Sequence, residues 1–137
     1  MRSKPKVLFL CTQNSARSQM AEALMRHMYG DRFDVFSAGT NPGVVNPYAS
    51  RAMQELGVDM SSHRSKSVDE FMGQDFDYVV TVCDNARKNC PFFPGKNVIH
   101  RAFRDPAAAK GTKEEVMAVF RQIRDEIQSW LKEQFGQ

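Results

Sequence analysis

The sequence of 137 residues has few cysteines and no long apolar run. Its longest apolar stretches, such as residues 7–11, extend over about five residues, whereas a helix that crosses a bilayer needs about 20. No small-residue cleavage site follows the basic start, so we expect neither a signal peptide nor a membrane segment. Three cysteines are an odd number, which argues against a disulfide scaffold and favours reduced thiols in the cytoplasm.

The sequence also lacks a strong excess of charge of one sign. Lysine and arginine number 19 against 16 acidic residues, and the two signs alternate along the chain, so no extended basic surface is predicted. We therefore expect no nucleic-acid partner and favour a small anionic ligand. Neither an internal repeat nor a linker divides the chain, so we interpret residues 1–137 as a single domain. We also expect a monomer.

Apolar patterning predicts alternating strands and helices. Strands are predicted at 7–10, 34–37 and 78–83, with a weaker candidate at 97–100, and the apolar run of the first is typical of a strand buried on both faces. Helices are predicted at about 17–29, from Asn46 to Gly57, after Ser67 with Glu70 as a capping box, and from Thr112 with Glu115 to the C-terminus. This order predicts an α/β fold, a three-layer sandwich with a central four-stranded parallel sheet flanked by helices. Ligands of such folds bind at the carboxyl ends of the strands.

Residues 11–18, Cys-Thr-Gln-Asn-Ser-Ala-Arg-Ser, leave the first predicted strand and enter the first helix. Backbone N–H groups of such a loop can bind a tetrahedral oxyanion, with Arg17 as a bidentate clamp. The same positive environment stabilises a thiolate, so Cys11 is a candidate nucleophile and Ser18 a hydrogen-bond donor to its sulfur. The candidate oxyanion-binding residues are Thr12, Gln13, Asn14, Ser15, Ala16 and Arg17. The alternative is that Cys11 is a small core residue and Arg17 a solvated one.

Two further cysteines follow the strongest predicted strand. Cys83 ends the 78–83 run and so points to the same edge of the sheet as Cys11, while Cys90 lies in a polar loop before a proline. Three thiols in one region can pass oxidation from one to the next. Buried or incidental cysteines are the alternatives, as is a zinc site with His100, which would lack a fourth ligand.

The sequence resembles the low-molecular-weight protein tyrosine phosphatase fold family, and within it the thioredoxin-coupled arsenate reductases. The motifs that carry the resemblance are C-T-Q-N-S-A-R-S-Q-M-A-E at 11–22, S-A-G at 37–39, N-P at 46–47, T-V-C at 81–83, N-C-P at 89–91 and D-P-A at 105–107. Phosphatases usually follow this Asp-Pro with tyrosines, whereas three alanines occupy 107–109 here. The reductase branch has two further cysteines, which Cys83 and Cys90 match.

The resemblance implies reduction of arsenate, with Cys11 as nucleophile and Cys83 and Cys90 as resolving cysteines that end as a redox-active disulfide. Thioredoxin would be the electron donor, and phosphate or sulfate would be competing oxyanions. Asp105 would be the general acid, although an aspartate before proline is equally common as a turn residue. No tightly bound cofactor or metal is expected. The alternatives are a phosphatase acting through a Cys11 phosphocysteine and a non-catalytic oxyanion-binding regulator.

Three positions depart from the family pattern. Ala16 stands where a cysteine is frequent next to the arginine, which removes a possible off-pathway oxidation partner and no thiol that the mechanism uses. Gln13 stands where glycine is common, so a positive φ there would strain the loop. Lys66 stands where some arsenate reductases have an aspartate that helps to hold potassium, together with residues matching Asn14, Glu22 and Ser37. A lysine ammonium repels a cation, so we expect no potassium effect and predict that Lys66 itself donates to these oxygens.

Overall fold

The structure is a computed structural model that describes residues 4–82 and 93–136, so the predicted resolving cysteines Cys83 and Cys90 lie outside the described residues. Strands and α-helices alternate along the described chain as β1 Lys6–Cys11, α1 Arg17–Tyr29, β2 Asp34–Gly39, α2 Pro47–Gln54, β3 Tyr78–Thr81, β4 Asn97–His100 and α3 Lys113–Phe135. Short 3-10 helices span Val68–Phe71 and Pro106–Ala108. The predicted α/β fold class is confirmed.

The strands form one parallel sheet in the order β2-β1-β3-β4. Because β1 pairs with both β2 and β3, it lies inside the sheet, and every residue of it after Lys6 is buried. This position explains its continuous apolar run. The carboxyl ends of parallel strands share one edge, so Cys11 at the end of β1 lies beside Gly39 at the end of β2.

The three α-helices pack on one face of the sheet. Val7 and Phe9 point to that face, where α1, α2 and α3 contribute the rest of the larger core. Leu8 and Leu10 point to the other face, where a smaller cluster includes Phe71 of the first 3-10 helix. Within the described residues, the helical cover of this second face is therefore short. None of the helices that the described residues form is long and apolar enough to cross a membrane.

The segment after Ser67 differs from its prediction. The Ser67 hydroxyl accepts a hydrogen bond from the backbone N–H of Asp69 at 3.1 Å, rather than from that of Glu70. The Glu70 carboxylate instead binds the Arg64 guanidinium at 2.6 and 2.9 Å. The Glu70 carboxylate thus forms an ion pair with Arg64, and the segment forms a 3-10 helix of four residues.

The other three helices follow the sequence more closely, and α1 spans the predicted residues 17–29. Asn46 caps α2 as predicted, but the helix ends at Gln54, and Gly57 lies in the following turn with φ of 76°. Thr112 and Glu115 form the predicted capping box of α3. The Thr112 backbone N–H donates to Glu115 Oε1, and the Glu115 backbone N–H donates to Thr112 Oγ1, both at 3.2 Å. The buried face of α3 includes Phe120, Ile123, Ile127, Leu131 and Phe135.

Candidate active site

Residues 11–18 curve from the end of β1 into α1 and surround the Cys11 sulfur, which belongs to a buried free thiol. The Asn14 backbone N–H donates to Cys11 Sγ at 3.2 Å, and Ser18 Oγ lies 2.9 Å from the same sulfur. Asn14 Nδ2 donates to Ser18 Oγ at 2.8 Å, which leaves the hydroxyl proton of Ser18 for the sulfur. Two hydrogen-bond donors therefore face Sγ, an arrangement that suits a thiolate.

Asn14 is the residue that gives the loop its sharp curvature. Its φ is 49°, and it alone among the described residues other than glycine has a positive φ. The strain considered for Gln13 is therefore not located there, and asparagine tolerates the left-handed region better than most side chains do. Asn14 Nδ2 also donates to Ser37 Oγ at 2.9 Å, while Asn14 Oδ1 accepts from the Lys66 backbone N–H at 2.8 Å. These bonds tie the loop to β2 and to the segment before the first 3-10 helix.

Gly39 allows the end of β2 to approach this loop. A Cβ at this position would lie 2.5 Å from the Thr12 carbonyl oxygen and 2.8 Å from the Asn14 nitrogen. In the sequence, Gly39 belongs to the Ser-Ala-Gly motif but has no predicted role. The close approach explains why a side chain is excluded, and a glycine that ends a predicted strand beside the loop is the signal that could have found it.

Arg17 is buried and extends toward the segment that follows β4. Its Nη1 donates to the Phe103 carbonyl at 3.1 Å, and its Nη2 lies 3.7 Å from Asp105 Oδ2. Asp105 Oδ1 accepts from the Ala107 backbone N–H at 3.0 Å and so caps the second 3-10 helix. One oxygen of Asp105 thus caps the turn while the other faces Arg17, and the carboxylate is 38% exposed. The contact with Phe103 has no signal in the sequence.

The predicted roles of Cys83 and Cys90, and the zinc alternative that shares them, fall outside the described residues. Val82, the last described residue before them, donates its backbone N–H to the Leu10 carbonyl at 2.9 Å. The end of β3 therefore runs beside the end of β1. His100 Nδ1 lies 2.7 Å from Thr81 Oγ1 on the neighbouring strand.

A buried cluster of charged groups lies behind the loop. Lys66 Nζ is 3.5 Å from Glu22 Oε1, 3.4 Å from Ser37 Oγ and 3.0 Å from a backbone carbonyl oxygen. Glu22 Oε2 accepts from Arg26 Nη2 at 2.7 Å, and its Oε1 accepts from the Ser37 hydroxyl. Burial lowers the pKa of Lys66, and the Glu22 carboxylate opposes this shift. Burial likewise lowers the pKa of His63, which lies 3.9 Å from Glu22.

This cluster does not fit a potassium ion. The oxygens of Glu22 and Ser37, which the resemblance associates with potassium, already face the Lys66 ammonium. A second cation at this point would be repelled at short range in a poorly solvated environment. Of the three predicted partners, the ammonium faces Glu22 and Ser37, whereas Asn14 Oδ1 accepts from the Lys66 backbone N–H.

The loop, its arginine and the parallel sheet define a class of protein. The chain belongs to the low molecular weight phosphotyrosine protein phosphatase family, which it matches over residues 6–136.

Within that family, the comparisons point to arsenate reductases. The chain is 47% identical to an arsenate reductase of Halalkalibacterium halodurans over 95% of its own length and 94% of the relative's. It is 44% identical to an arsenate reductase of Bacillus subtilis, with 93% and 92% covered. The solved structure of an arsenate reductase in the phosphate binding state superposes with a TM-score of 0.80 at 27% identity, covering 94% of this chain and 95% of that one.

A thioredoxin-dependent arsenate reductase of Corynebacterium glutamicum superposes with a TM-score of 0.70 at 29% identity, covering 98% of this chain and 64% of that one. The resemblance predicted from the motifs is confirmed: the chain is a homologue of arsenate reductases.

Proposed function

We propose that this protein is an enzyme that reduces arsenate to arsenite through Cys11, Cys83 and Cys90, with thioredoxin as the electron donor. The observation that carries the proposal is the Cys11 sulfur, which receives hydrogen bonds from Asn14 and Ser18 at the start of α1. The identity of 47% to an arsenate reductase favours arsenate as the substrate. The two further cysteines favour reduction over hydrolysis, because hydrolysis needs only one.

Arsenate would bind to the backbone N–H groups of residues 12–17. Ala16 gives α1 no side-chain cap, and the first turn of α1 contains no acidic residue, so the positive end of the helix dipole is not neutralised locally. The Arg17 guanidinium would clamp two oxygens of the anion. Phosphate and sulfate have a similar shape and charge, so they should compete for the same loop.

In the first step, the Cys11 thiolate attacks arsenic and one oxygen departs as water, giving a thiol–arsenic(V) adduct. Asp105 would supply the proton, since its Oδ2 lies 3.7 Å from the Arg17 guanidinium that would hold the anion and is therefore close to the departing oxygen. The Cys83 thiolate then attacks Cys11 Sγ. The sulfur–arsenic bond breaks with its electron pair remaining on arsenic, so arsenite leaves and a Cys11–Cys83 disulfide forms.

In the second stage, the Cys90 thiolate attacks Cys83, which frees Cys11 and leaves the Cys83–Cys90 disulfide. The dithiol of thioredoxin reduces this disulfide and restores all three thiols. The two electrons that reduce arsenic thus come from protein thiols and are replaced by thioredoxin. Such a cycle requires a reducing compartment, and we assign the protein to the cytoplasm.

A phosphatase is the second candidate, because the family that the chain matches is that of phosphotyrosine phosphatases. Cys11, Arg17 and Asp105 suffice to form and hydrolyse a phosphocysteine. Weak hydrolysis of an aryl phosphate can therefore accompany arsenate reduction. A non-catalytic regulator would bind oxyanions and turn over neither substrate.

The proposal is tested by arsenate turnover with thioredoxin, thioredoxin reductase and NADPH. We expect NADPH oxidation that depends on both arsenate and thioredoxin, with one arsenite formed per NADPH consumed. Hydrolysis of para-nitrophenyl phosphate is measured in parallel. Hydrolysis without arsenate-dependent NADPH oxidation would favour the phosphatase, and phosphate binding without either activity would favour the regulator.

A separate prediction concerns potassium. We expect potassium to leave the activity and melting temperature of the wild-type protein unchanged relative to sodium at equal ionic strength. Lys66→Asp should create potassium sensitivity, because it replaces the ammonium beside Glu22 and Ser37 with a carboxylate. At ten times its Kd, a bound ion stabilises the folded state by about 1.4 kcal/mol, which a thermal melt in KCl against NaCl resolves.

Two variants serve as controls for this prediction. Lys66→Met removes the ammonium without adding a ligand, and Lys110→Asp makes the same charge change at an exposed position. Neither should acquire potassium dependence. A potassium-specific stabilisation of the wild-type protein would contradict the assignment of Lys66 to the cation position.

A further inference from the structure

Gln19, in the first turn of α1, is a fully buried polar side chain without a role in the chemistry described above. Its Nε2 lies 2.9 Å from Asn14 Oδ1, 3.2 Å from the Asn14 carbonyl oxygen and 2.8 Å from the Arg64 carbonyl oxygen. Its Oε1 lies 2.8 Å from His63 Nδ1. A buried carboxamide costs folding free energy unless it is hydrogen-bonded, and this one is bonded at both ends.

The direction of each bond follows from one unambiguous donor. The Lys66 backbone N–H can only donate, so the atom of Asn14 that it contacts is the acceptor Oδ1. The atom of Gln19 that faces this Oδ1 and two carbonyl oxygens must then be the amide nitrogen. Gln19 Oε1 consequently faces His63, and His63 Nδ1 carries the proton that it accepts.

These bonds hold Asn14 from two sides. Gln19 Nε2 contacts both the main-chain carbonyl and the side-chain oxygen of Asn14. Asn14 has a φ of 49°, and this conformation directs its N–H to Cys11 Sγ at 3.2 Å. Asn14 Nδ2 is directed at the same time to Ser18, whose hydroxyl faces the sulfur. Both donors to the sulfur therefore depend on how Asn14 is oriented.

We infer that Gln19 is a positioning residue for the oxyanion loop, which acts by holding Asn14 in its left-handed conformation. The inference rests on the proposed function only in that the loop binds a tetrahedral oxyanion. Without the Gln19 amide, the peptide between Asn14 and Ser15 loses a donor to its carbonyl and can rotate. Rotation turns the Ser15 N–H, which belongs to the same peptide, and so alters the ring of donors around the anion. Loss of the bond to Asn14 Oδ1 also loosens the Asn14 side chain, whose Nδ2 orients Ser18 toward the sulfur.

A purely structural role makes a different prediction. If Gln19 only satisfied the polar groups of His63 and Arg64, its loss would lower stability and leave oxyanion binding by the folded protein unchanged. His63→Leu distinguishes the structural role from the positioning role, because it removes the donor to Gln19 Oε1 and leaves both bonds from Gln19 to Asn14. It should lower the melting temperature while phosphate affinity stays within about twofold of the wild type.

The test uses Gln19→Met, which keeps the volume without a donor, and Gln19→Glu, which keeps the acceptor for His63 and places a carboxylate against Asn14 Oδ1. Inorganic phosphate is the probe, titrated by calorimetry, and the rate of Cys11 alkylation by iodoacetamide is followed by peptide mapping.

We expect the phosphate affinity of both variants to fall by about tenfold or more, and Cys11 to be alkylated more slowly, because small displacements of catalytic groups have large effects. Gln122→Met on the exposed surface of α3 is the matched control and should behave as the wild type.

Wild-type phosphate affinity in either folded Gln19 variant would overturn the inference, as would an equal loss of affinity in His63→Leu. Failure of both Gln19 variants to fold would assign the residue to the structural role instead. A wild-type protein that binds phosphate but shows no arsenate-dependent NADPH oxidation would overturn the reductase proposal and leave the Gln19 comparison intact.

Discussion

Replacing Cys11 by serine is expected to abolish both arsenate reduction and any hydrolysis of an aryl phosphate. A serine hydroxyl stays protonated at neutral pH and is a far weaker nucleophile than a thiolate, so each activity should fall by at least about a thousandfold. The groups that contact this position, the Asn14 N–H and the Ser18 hydroxyl, are hydrogen-bond donors rather than bases, so they would not remove the proton of a serine. NADPH oxidation with arsenate and release of para-nitrophenol report the two activities on one preparation.

Phosphate binding shows whether the Cys11→Ser site itself is intact. Serine is close in size to cysteine and can accept the same hydrogen bonds, so the variant should keep its fold and bind phosphate at the loop. Arsenate reduction that survives in Cys11→Ser would remove Cys11 from the mechanism. Loss of phosphate binding together with activity would instead indicate a collapsed loop.

The active-site loop could be predicted because its information is local. Cys11 ends a buried strand, Arg17 begins a helix, and the five residues between them are enough to form an anion-binding turn. The residue with positive φ could not be assigned in the same way. The family pattern, with glycine at position 13, indicated Gln13 as the residue with positive φ. Asn14 adopts the left-handed conformation instead, because its side chain forms hydrogen bonds with Ser37 and with the Lys66 backbone, which are far along the chain.

The supports of the loop were not predictable, because they join segments that are distant in sequence. Gly39 and the Phe103 carbonyl contact the loop or Arg17 from other parts of the chain. Gln19 is close to Asn14 in sequence, but it joins the loop to His63 and Arg64. Lys66 is the one distant support that was predicted, since the family pattern associated its position with Glu22 and Ser37. Helix ends that depend only on neighbouring residues were predicted correctly, as the capping box of α3 shows. The segment after Ser67 was predicted less well, because Arg64 competes for Glu70.

The largest separation of activities is expected for Cys83→Ser. Arsenate reduction should stop, because no second thiolate attacks Cys11 Sγ and the thiol–arsenic adduct cannot release arsenite. Hydrolysis of para-nitrophenyl phosphate needs only Cys11, Arg17 and Asp105, so it should stay within about twofold of the wild type. This split distinguishes a reductase, which requires a resolving thiol, from a phosphatase that contains an incidental cysteine.

Disulfide mapping after a single turnover without thioredoxin identifies the order of the relay. The wild-type protein should contain a Cys83–Cys90 disulfide and a free Cys11, whereas Cys90→Ser should release one equivalent of arsenite and retain a Cys11–Cys83 disulfide. Cys90→Ser is the matched control, since it makes the same chemical change one step later. Equal loss of reduction and hydrolysis in Cys83→Ser would argue for a structural cysteine. A wild-type protein that forms arsenite without a Cys83–Cys90 disulfide would contradict the relay, because the two electrons would then have come from other groups.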